Sequence, residues 1–125
     1  MKTTSLLDQV WNNMIGFDRL VNHSYPPYNV VKESEGITLE IACSGFKKSD
    51  LKVYLEGNTL VVEGHKPDPE HEPHYLYRGL AHRSWRHQFH LQSNHQVQEV
   101  VHQDGILYIK VTQKPNHTPK TLEIL

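Results

Sequence analysis

The sequence predicts an all-β fold: an antiparallel β-sandwich, with a short helical arm before it and an extended tail after it. About eight short segments alternate apolar and polar residues, and turn-forming residues separate them. The spacing of apolar residues also changes, from three and four in residues 5–21 to two after residue 25. We therefore expect an N-terminal arm over residues 1–24, a sandwich domain over residues 25–113 and a C-terminal extension over residues 114–125.

The arm is expected to be an amphipathic helix. Its apolar residues recur at the spacing that collects them on one face. Tyr25-Pro26-Pro27 follows, and prolines end helical structure because they restrict the backbone to extended conformations. This break favours an arm that is separable from the domain. An ordinary core helix is the alternative.

Two tight hairpins organise the predicted sandwich. Gly57-Asn58 separates the alternating residues 51–55 from residues 60–62, and Asp104-Gly105 precedes the β-rich run 106–111. Further strands are expected at residues 37–43, 75–78, 85–91 and 97–101.

The segment 65–74 contains three prolines and no aliphatic side chain, so it is expected to be a long exposed loop. The short strand 75–78 would be carried by this loop.

The composition excludes several classes of protein. A net charge of -1 provides no electrostatic footprint for nucleic acid or anionic membranes. The single Cys43 cannot form an internal disulfide, and no apolar run reaches membrane-spanning length. The N-terminus shows no secretory signal pattern, so the cytoplasm is the expected compartment. An enzyme is not expected, because the chain has no G-x-S-x-G, no glycine-rich phosphate loop and no H-E-x-x-H.

Three motifs occur in order along the chain. The first is the turn, strand and hairpin of residues 45–53 and 58–64, the second is Asp104-Gly105-Ile106-Leu107, and the third is Leu122-Glu123-Ile124. Together they resemble the small heat-shock protein family, with its Hsp20 or α-crystallin domain, over roughly residues 25–125. Residues 15–20, 25–30 and 75–79 look especially like the bacterial inclusion-body-associated branch, which implies a bacterium, or a virus that infects one, as the source.

The resemblance implies an immunoglobulin-like β-sandwich that acts as a chaperone. It implies an ATP-independent holdase, which binds unfolding proteins, prevents their aggregation and uses no cofactor. It also implies a dimer that assembles into a dynamic homo-oligomer, with ATP-dependent chaperones as further partners downstream. A non-enzymatic co-chaperone or scaffold with one fixed protein partner is the alternative.

Four sets of residues are expected to carry this function. Side chains two apart in an extended segment point the same way, so Leu122 and Ile124 can enter one groove of a neighbouring subunit. A frayed terminus is the alternative for this tail. The resemblance implies that the groove is lined by Leu51, Val53, Leu55, Val97, Val100 and Val101. It also implies a dimer strand, exchanged with a partner's sheet edge, at Tyr75, Leu76, Tyr77 and Arg78. Clients are expected to bind the arm at Leu6, Leu7, Trp11, Met14, Phe17 and Leu20.

The histidines are the unusual part of the composition. His87 stands where the family generally has an arginine, so a family salt bridge between subunits does not carry over to this position. His65, His71 and His74 could bind zinc, but solvated loop histidines are the simpler interpretation and no metal site is predicted. Protonation of several histidines near about pH 6 is expected to change oligomer size, which sedimentation would detect.

Overall fold

The computed structural model describes residues 6–21, 25–67, 70–80 and 83–114, without the side chains of Leu6, Leu7 and Val21. One helix and seven strands lie in these ranges. They are α1 (Leu6–Val21), β1 (Tyr28–Lys32), β2 (Gly36–Ala42), β3 (Leu51–Glu56), β4 (Thr59–Gly64), β5 (Trp85–His90), β6 (His95–Gln103) and β7 (Ile106–Gln113). The strands form a four-stranded sheet in the order β1-β2-β7-β6 and a three-stranded sheet in the order β3-β4-β5, all antiparallel. The predicted antiparallel sandwich is confirmed.

Both predicted hairpins are present. Glu56 pairs with Thr59 across Gly57-Asn58, and Gln103 pairs with Ile106 across Asp104-Gly105. Gly57 has a φ of 60°, while Asp104 and Gly105 have φ values of 53° and 75°. Glycine and aspartate tolerate this left-handed region better than most residues, which explains why the chain turns at these dipeptides.

The core lies between the two sheets. Alternate residues of β2 and β7 point into it, as do Leu60, Val62 and Phe89 from the three-stranded sheet. Gly64 also contributes, because a Cβ atom there would lie 2.3 Å from the Trp85 indole nitrogen. Because Gly64 has no side chain, the buried Trp85 indole has room beside it where β4 pairs with β5.

The strand expected at residues 75–78 is absent from the single chain. This segment forms no ladder with another described strand, and Leu76 and Tyr77 are almost fully exposed. A β-strand requires a neighbour for its backbone hydrogen bonds, and the fold offers none here within the described part of the chain. The alternating pattern therefore describes a segment capable of pairing rather than one that is paired.

The helix differs from the expected separable arm. Trp11 and Met14 are 4% and 1% exposed and belong to the core cluster, and α1 packs against β5. Its apolar face is large enough to be buried on the domain, which is the core-helix alternative raised by the sequence. In this conformation Trp11 and Met14 are not accessible to a client.

Candidate functional site

A groove lies between edge strands of the two sheets, β3 and β6. It encloses a cavity of about 310 Å³, lined by Lys48, Leu51, Val53, Val100, His102 and Leu107. We call this the β3–β6 groove. Its walls are mainly aliphatic, and a strand edge runs along each side. Such a site suits an extended segment that presents apolar side chains.

Three of the six residues predicted for the groove line its cavity: Leu51, Val53 and Val100. Leu55 does not line it and is 52% exposed, and Val97 packs against the core. Val101 pairs with Tyr108 on the opposite face of the sheet from Val100.

The position of Val101 follows from a register shift between Val97 and Glu99. An extra residue in one strand reverses the alternation of its side chains beyond that point. Lys48, His102 and Leu107 line the cavity but were not among the predicted residues.

The polar residues of the groove are both basic types. Lys48 begins a single 3-10 turn, Lys48–Asp50, in which the Asp50 carboxylate accepts the Lys47 backbone N–H at 2.9 Å. That hydrogen bond, and then the Lys66 side chain, lower the pKa of Asp50. The His102 Nε2 atom is buried and has no hydrogen-bond partner among the described residues.

The predicted dimer strand lies on the surface of the long loop. Tyr75, Leu76 and Tyr77 are 53%, 106% and 87% exposed, and Leu80 nearby is 75% exposed. The Arg78 guanidinium lies 4.9 Å from the centre of the Tyr75 ring. This is a contiguous exposed apolar segment, which in a soluble domain typically marks an interaction surface.

A second contact region joins α1 to β5 through Asp18. The Nδ1 atom of His87 lies 2.8 Å from one carboxylate oxygen of Asp18, and the Gln88 backbone N–H donates to the other at 2.7 Å. The His87 Nε2 atom lies 2.9 Å from the carbonyl oxygen of Pro26. Asp18 and His87 are both completely buried. We call Asp18, His87 and the Gln88 N–H the α1 latch.

The hydrogen-bond partners determine how the α1 latch is held together. Nε2 of His87 faces a carbonyl oxygen, which only accepts, so this nitrogen carries a hydrogen. Nδ1 faces the Asp18 carboxyl oxygen that does not accept the Gln88 N–H, so one hydrogen bond joins the imidazole to this oxygen. The latch is therefore a buried carboxyl–imidazole pair held by directed hydrogen bonds. Burial raises the pKa of the nearby Tyr28 hydroxyl, and the negative charge of Asp18 raises it further.

Aromatic contacts flank the latch along α1. The rings of Trp11 and His95 are stacked with centres 4.4 Å apart, and Phe17 meets the edge of His90 at 4.0 Å. Leu20, by contrast, is 82% exposed.

The expected client surface is therefore divided between buried, partly buried and exposed positions. The side chains of Leu6 and Leu7, and the tail residues Leu122 and Ile124, lie outside the described residues.

Asp18 was not recognised from the sequence, although a signal exists. It follows Trp11 and Met14 at helical spacing and so falls on the apolar face of α1. A charged residue on such a face requires a buried partner. The partner, His87, is 69 residues away in the chain and could not be identified by spacing.

The described residues contain neither a metal site nor a membrane-spanning helix. In the part of the chain that the structure describes, which includes His65, His71 and His74, no three metal-ligating side chains are arranged to hold an ion. Among the described helices, none has the length and apolarity to span a bilayer.

Comparison with known proteins identifies relatives of this sandwich. The Hsp20/alpha crystallin family model matches residues 29–125. Small heat shock protein HspE of Bradyrhizobium diazoefficiens is 37% identical over 128 residues, covering 94% of this chain and 85% of the relative. Small heat shock protein IbpA of Escherichia coli O1:K1 is 38% identical over 114 residues, covering 82% of this chain and 83% of the relative.

Solved structures give the same result for the fold. The small heat shock protein of Synechococcus phage S-ShM2 is 31% identical, with a TM-score of 0.61, over 82% of this chain and 98% of that one. AgsA of Salmonella typhimurium is 22% identical, with a TM-score of 0.67, over 82% of this chain and 99% of the truncated AgsA chain.

The sandwich, the motif order and these relatives confirm the family that the sequence indicated, including its similarity to the inclusion-body-associated branch. The family implies a chaperone function. This chain belongs to the Hsp20/alpha crystallin family of small heat shock proteins.

Proposed function

We propose that this protein is an ATP-independent holdase: it binds unfolding proteins, keeps them from aggregating, and works as a dynamic oligomer of dimers. The observation that carries the proposal is the β3–β6 groove, an aliphatic channel between two sheet edges. No nucleotide, catalytic group or cofactor takes part in this mechanism. We propose the cytoplasm as its compartment.

The occupant we propose for the groove is the tail of a neighbouring subunit. Leu122 and Ile124 would enter between β3 and β6, beside Leu51, Val53 and Val100. Burying two such side chains yields roughly 3–6 kcal/mol before the tail is immobilised. One tail therefore binds weakly and exchanges, whereas several tails in one assembly hold it together through effective concentration.

The dimer contact we propose is between the loop segment Tyr75–Arg78 and the β1 edge of a partner. Among the described strands, β1 pairs only with β2. The other edges have different surroundings, because β3 and β6 border the groove and β5 faces Asp18 of α1. β1 is thus the edge best suited to accept an added strand.

The client surface we propose is the apolar face of α1, which includes Trp11, Met14 and Phe17. Met and aromatic side chains adapt to the varied apolar surfaces of unfolding proteins. Because Trp11 and Met14 are buried here, client binding requires α1 to leave the domain. The docked helix is then a resting state.

The tail is tested by measuring the mass of the assembly in solution by light scattering. Replacing Leu122 and Ile124 by alanine is expected to reduce the mass to that of a dimer or small oligomer. The matched control replaces Thr121 and Glu123, which alternate with them along the extended tail, and is expected to leave the mass unchanged. Equal masses for all three proteins would exclude the tail as an assembly contact.

Chaperone activity is tested by heating citrate synthase with and without this protein, with no nucleotide present. We expect light scattering from aggregation to fall as the protein is added. Full aggregation at every ratio would contradict the holdase proposal.

A further inference from the structure

The contact between α1 and β5 contains a buried carboxyl–imidazole pair that shape complementarity alone does not require. Asp18 is 1% exposed and His87 is 0% exposed. The His87 ring centre lies 4.9 Å from the Tyr28 ring centre and 5.5 Å from the Trp85 ring centre. Burying polar groups among aromatic rings is costly unless they are hydrogen-bonded. The pair is thus specific to the docking of α1 on β5.

Asp18 also contacts the backbone of the strand beneath it. β5 is an edge of the three-stranded sheet, so the Gln88 N–H points away from β4. Asp18 supplies the acceptor that a further strand would otherwise provide. One carboxyl group therefore satisfies the outward N–H of Gln88 and pairs with the His87 imidazole at the same time.

We propose that Asp18 holds α1 on the β5 edge and thereby determines whether Trp11 and Met14 are buried or available to clients. This inference rests on the proposed function, in which clients bind the apolar face of α1. The occupant of the β5 surface is the chain's own helix, because the Asp18 carboxyl group matches both the His87 Nδ1 atom and the Gln88 N–H. The α1 latch makes the docked helix an autoinhibitory contact.

The α1 latch favours two distinct states of the helix, docked and released, because its polar groups form hydrogen bonds in both. In the docked state they bond to each other, and in the released state water can reach them. A docked helix without the carboxyl group would take away the acceptor of the Gln88 N–H and the Asp18 partner of His87 Nδ1 while both stay buried, which is the costly arrangement. Loss of Asp18 should therefore shift the balance towards release.

The chain contains a matched control for this contact. Asp8 lies on the same helix and forms an ion pair with Lys32 of β1 at 2.8 Å, but its side chain is 31% exposed and that of Lys32 is 65% exposed. Exposed ion pairs contribute little to stability. Alanine raises helix propensity at both positions, but Asp8→Ala also removes a charge that favours the first turn of α1. The control therefore loses more intrinsic helix stability than Asp18→Ala, so faster exchange in Asp18→Ala reports the latch.

The experiment measures amide hydrogen exchange by mass spectrometry in the full chain. We expect residues 6–21 to exchange about 10- to 100-fold faster in Asp18→Ala, the range for losing hydrogen bonds to a charged group. Asp8→Ala should change this rate by less than about threefold. β2 and β7 should keep their protection in both variants. Asp18→Ala should also suppress citrate synthase aggregation at a lower ratio of chaperone to client.

Equal amide exchange rates of α1 in Asp18→Ala and Asp8→Ala would overturn the proposal that Asp18 holds the helix. If Asp18→Ala also exposes β2 and β7, Asp18→Asn decides the question, because it keeps a hydrogen-bonding amide and removes only the charge. Its α1 should exchange faster than that of Asp8→Ala, and an equal rate would overturn the latch.

The α1 latch and the proposed function are tested by different measurements. Faster exchange in Asp18→Ala with unchanged client protection would overturn the claim that the latch withholds client-binding residues. A wild-type chain without client protection would contradict the proposed function, while exchange still decides whether Asp18 holds α1.

Discussion

The β5 edge and the β3–β6 groove differ in what faces them. At β5 the chain's own helix is bound by a buried carboxyl group with directed hydrogen bonds. The β3–β6 groove is lined mainly by aliphatic side chains and has room for about 310 Å³ of another segment. Hydrogen bonds between charged groups specify one geometry, whereas apolar burial is not directional. The first surface is suited to holding one element in place, and the second to partners that exchange.

The largest difference between the two regions should appear in stability. Met14→Ala empties a site that is 1% exposed in the core cluster, so the free energy of unfolding should fall by about 2–5 kcal/mol. Leu55→Ala, at a position 52% exposed, should change it by less than about 0.5 kcal/mol. Urea denaturation followed by circular dichroism measures both. Similar losses would mean that α1 is not part of the core.

A charge placed in the β3–β6 groove tests the second of the two regions. Val100→Lys brings an ammonium group into a cavity whose lining includes Lys48 and His102 but no carboxylate, which should weaken tail binding by about 1–3 kcal/mol and lower the oligomer mass. Leu55→Lys is the control, because Leu55 is similarly exposed but does not line the cavity. Sedimentation velocity measures the mass of each. A similar decrease in both would contradict the groove boundaries.

Acidification should destabilise the folded protein where α1 packs, because His95, which stacks on Trp11, is buried there. Its Nδ1 accepts the Gln92 backbone N–H at 3.1 Å, and its ring stacks on Trp11. Burial lowers the pKa of His95, so the unfolded chain binds a proton more readily than the folded one. Stability is therefore retained above the ordinary histidine pKa of about 6.5 and lost as the pH falls below it.

Thermal melts at about pH 7.5 and about pH 5.5 test this effect against two variants. The decrease in melting temperature should be smaller in His95→Gln than in the wild type. His71→Gln, in the exposed loop, should behave like the wild type. An identical decrease in all three would exclude His95 as the cause.

The smallest expected effect concerns Cys43 in the core. The thiol is buried, and burial raises its pKa, so little of the reactive thiolate is present in the folded protein. Iodoacetamide should modify it slowly in buffer and rapidly in urea. The Asp18→Ala variant should remain as unreactive as the wild type, because release of α1 leaves the sheets folded. Rapid reaction of that variant would mean that α1 release opens the sandwich.

The strands and turns could be predicted because their signals are local. The alternation in residues 37–43 and the dipeptides Gly57-Asn58 and Asp104-Gly105 lie within the elements they define. The β6 wall of the groove could not be predicted from alternation alone, because the register shift after Val97 turns Val100 and His102 inwards in place of Val101. Nothing in the residue pattern of β6 marks that shift.

By itself the sequence determined the family, the sandwich, the helix and the turns, since periodicity and turn chemistry act between residues close in the chain. It also marked residues 75–78 as a segment able to form a strand. Tertiary structure decided where α1 goes and which residues share a surface. Asp18 and His87 are 69 positions apart, and a contact at that separation exists only once β5 and the helix have packed. The latch is therefore a product of the fold, because two such polar groups are stable in the interior only when each is buried against the other.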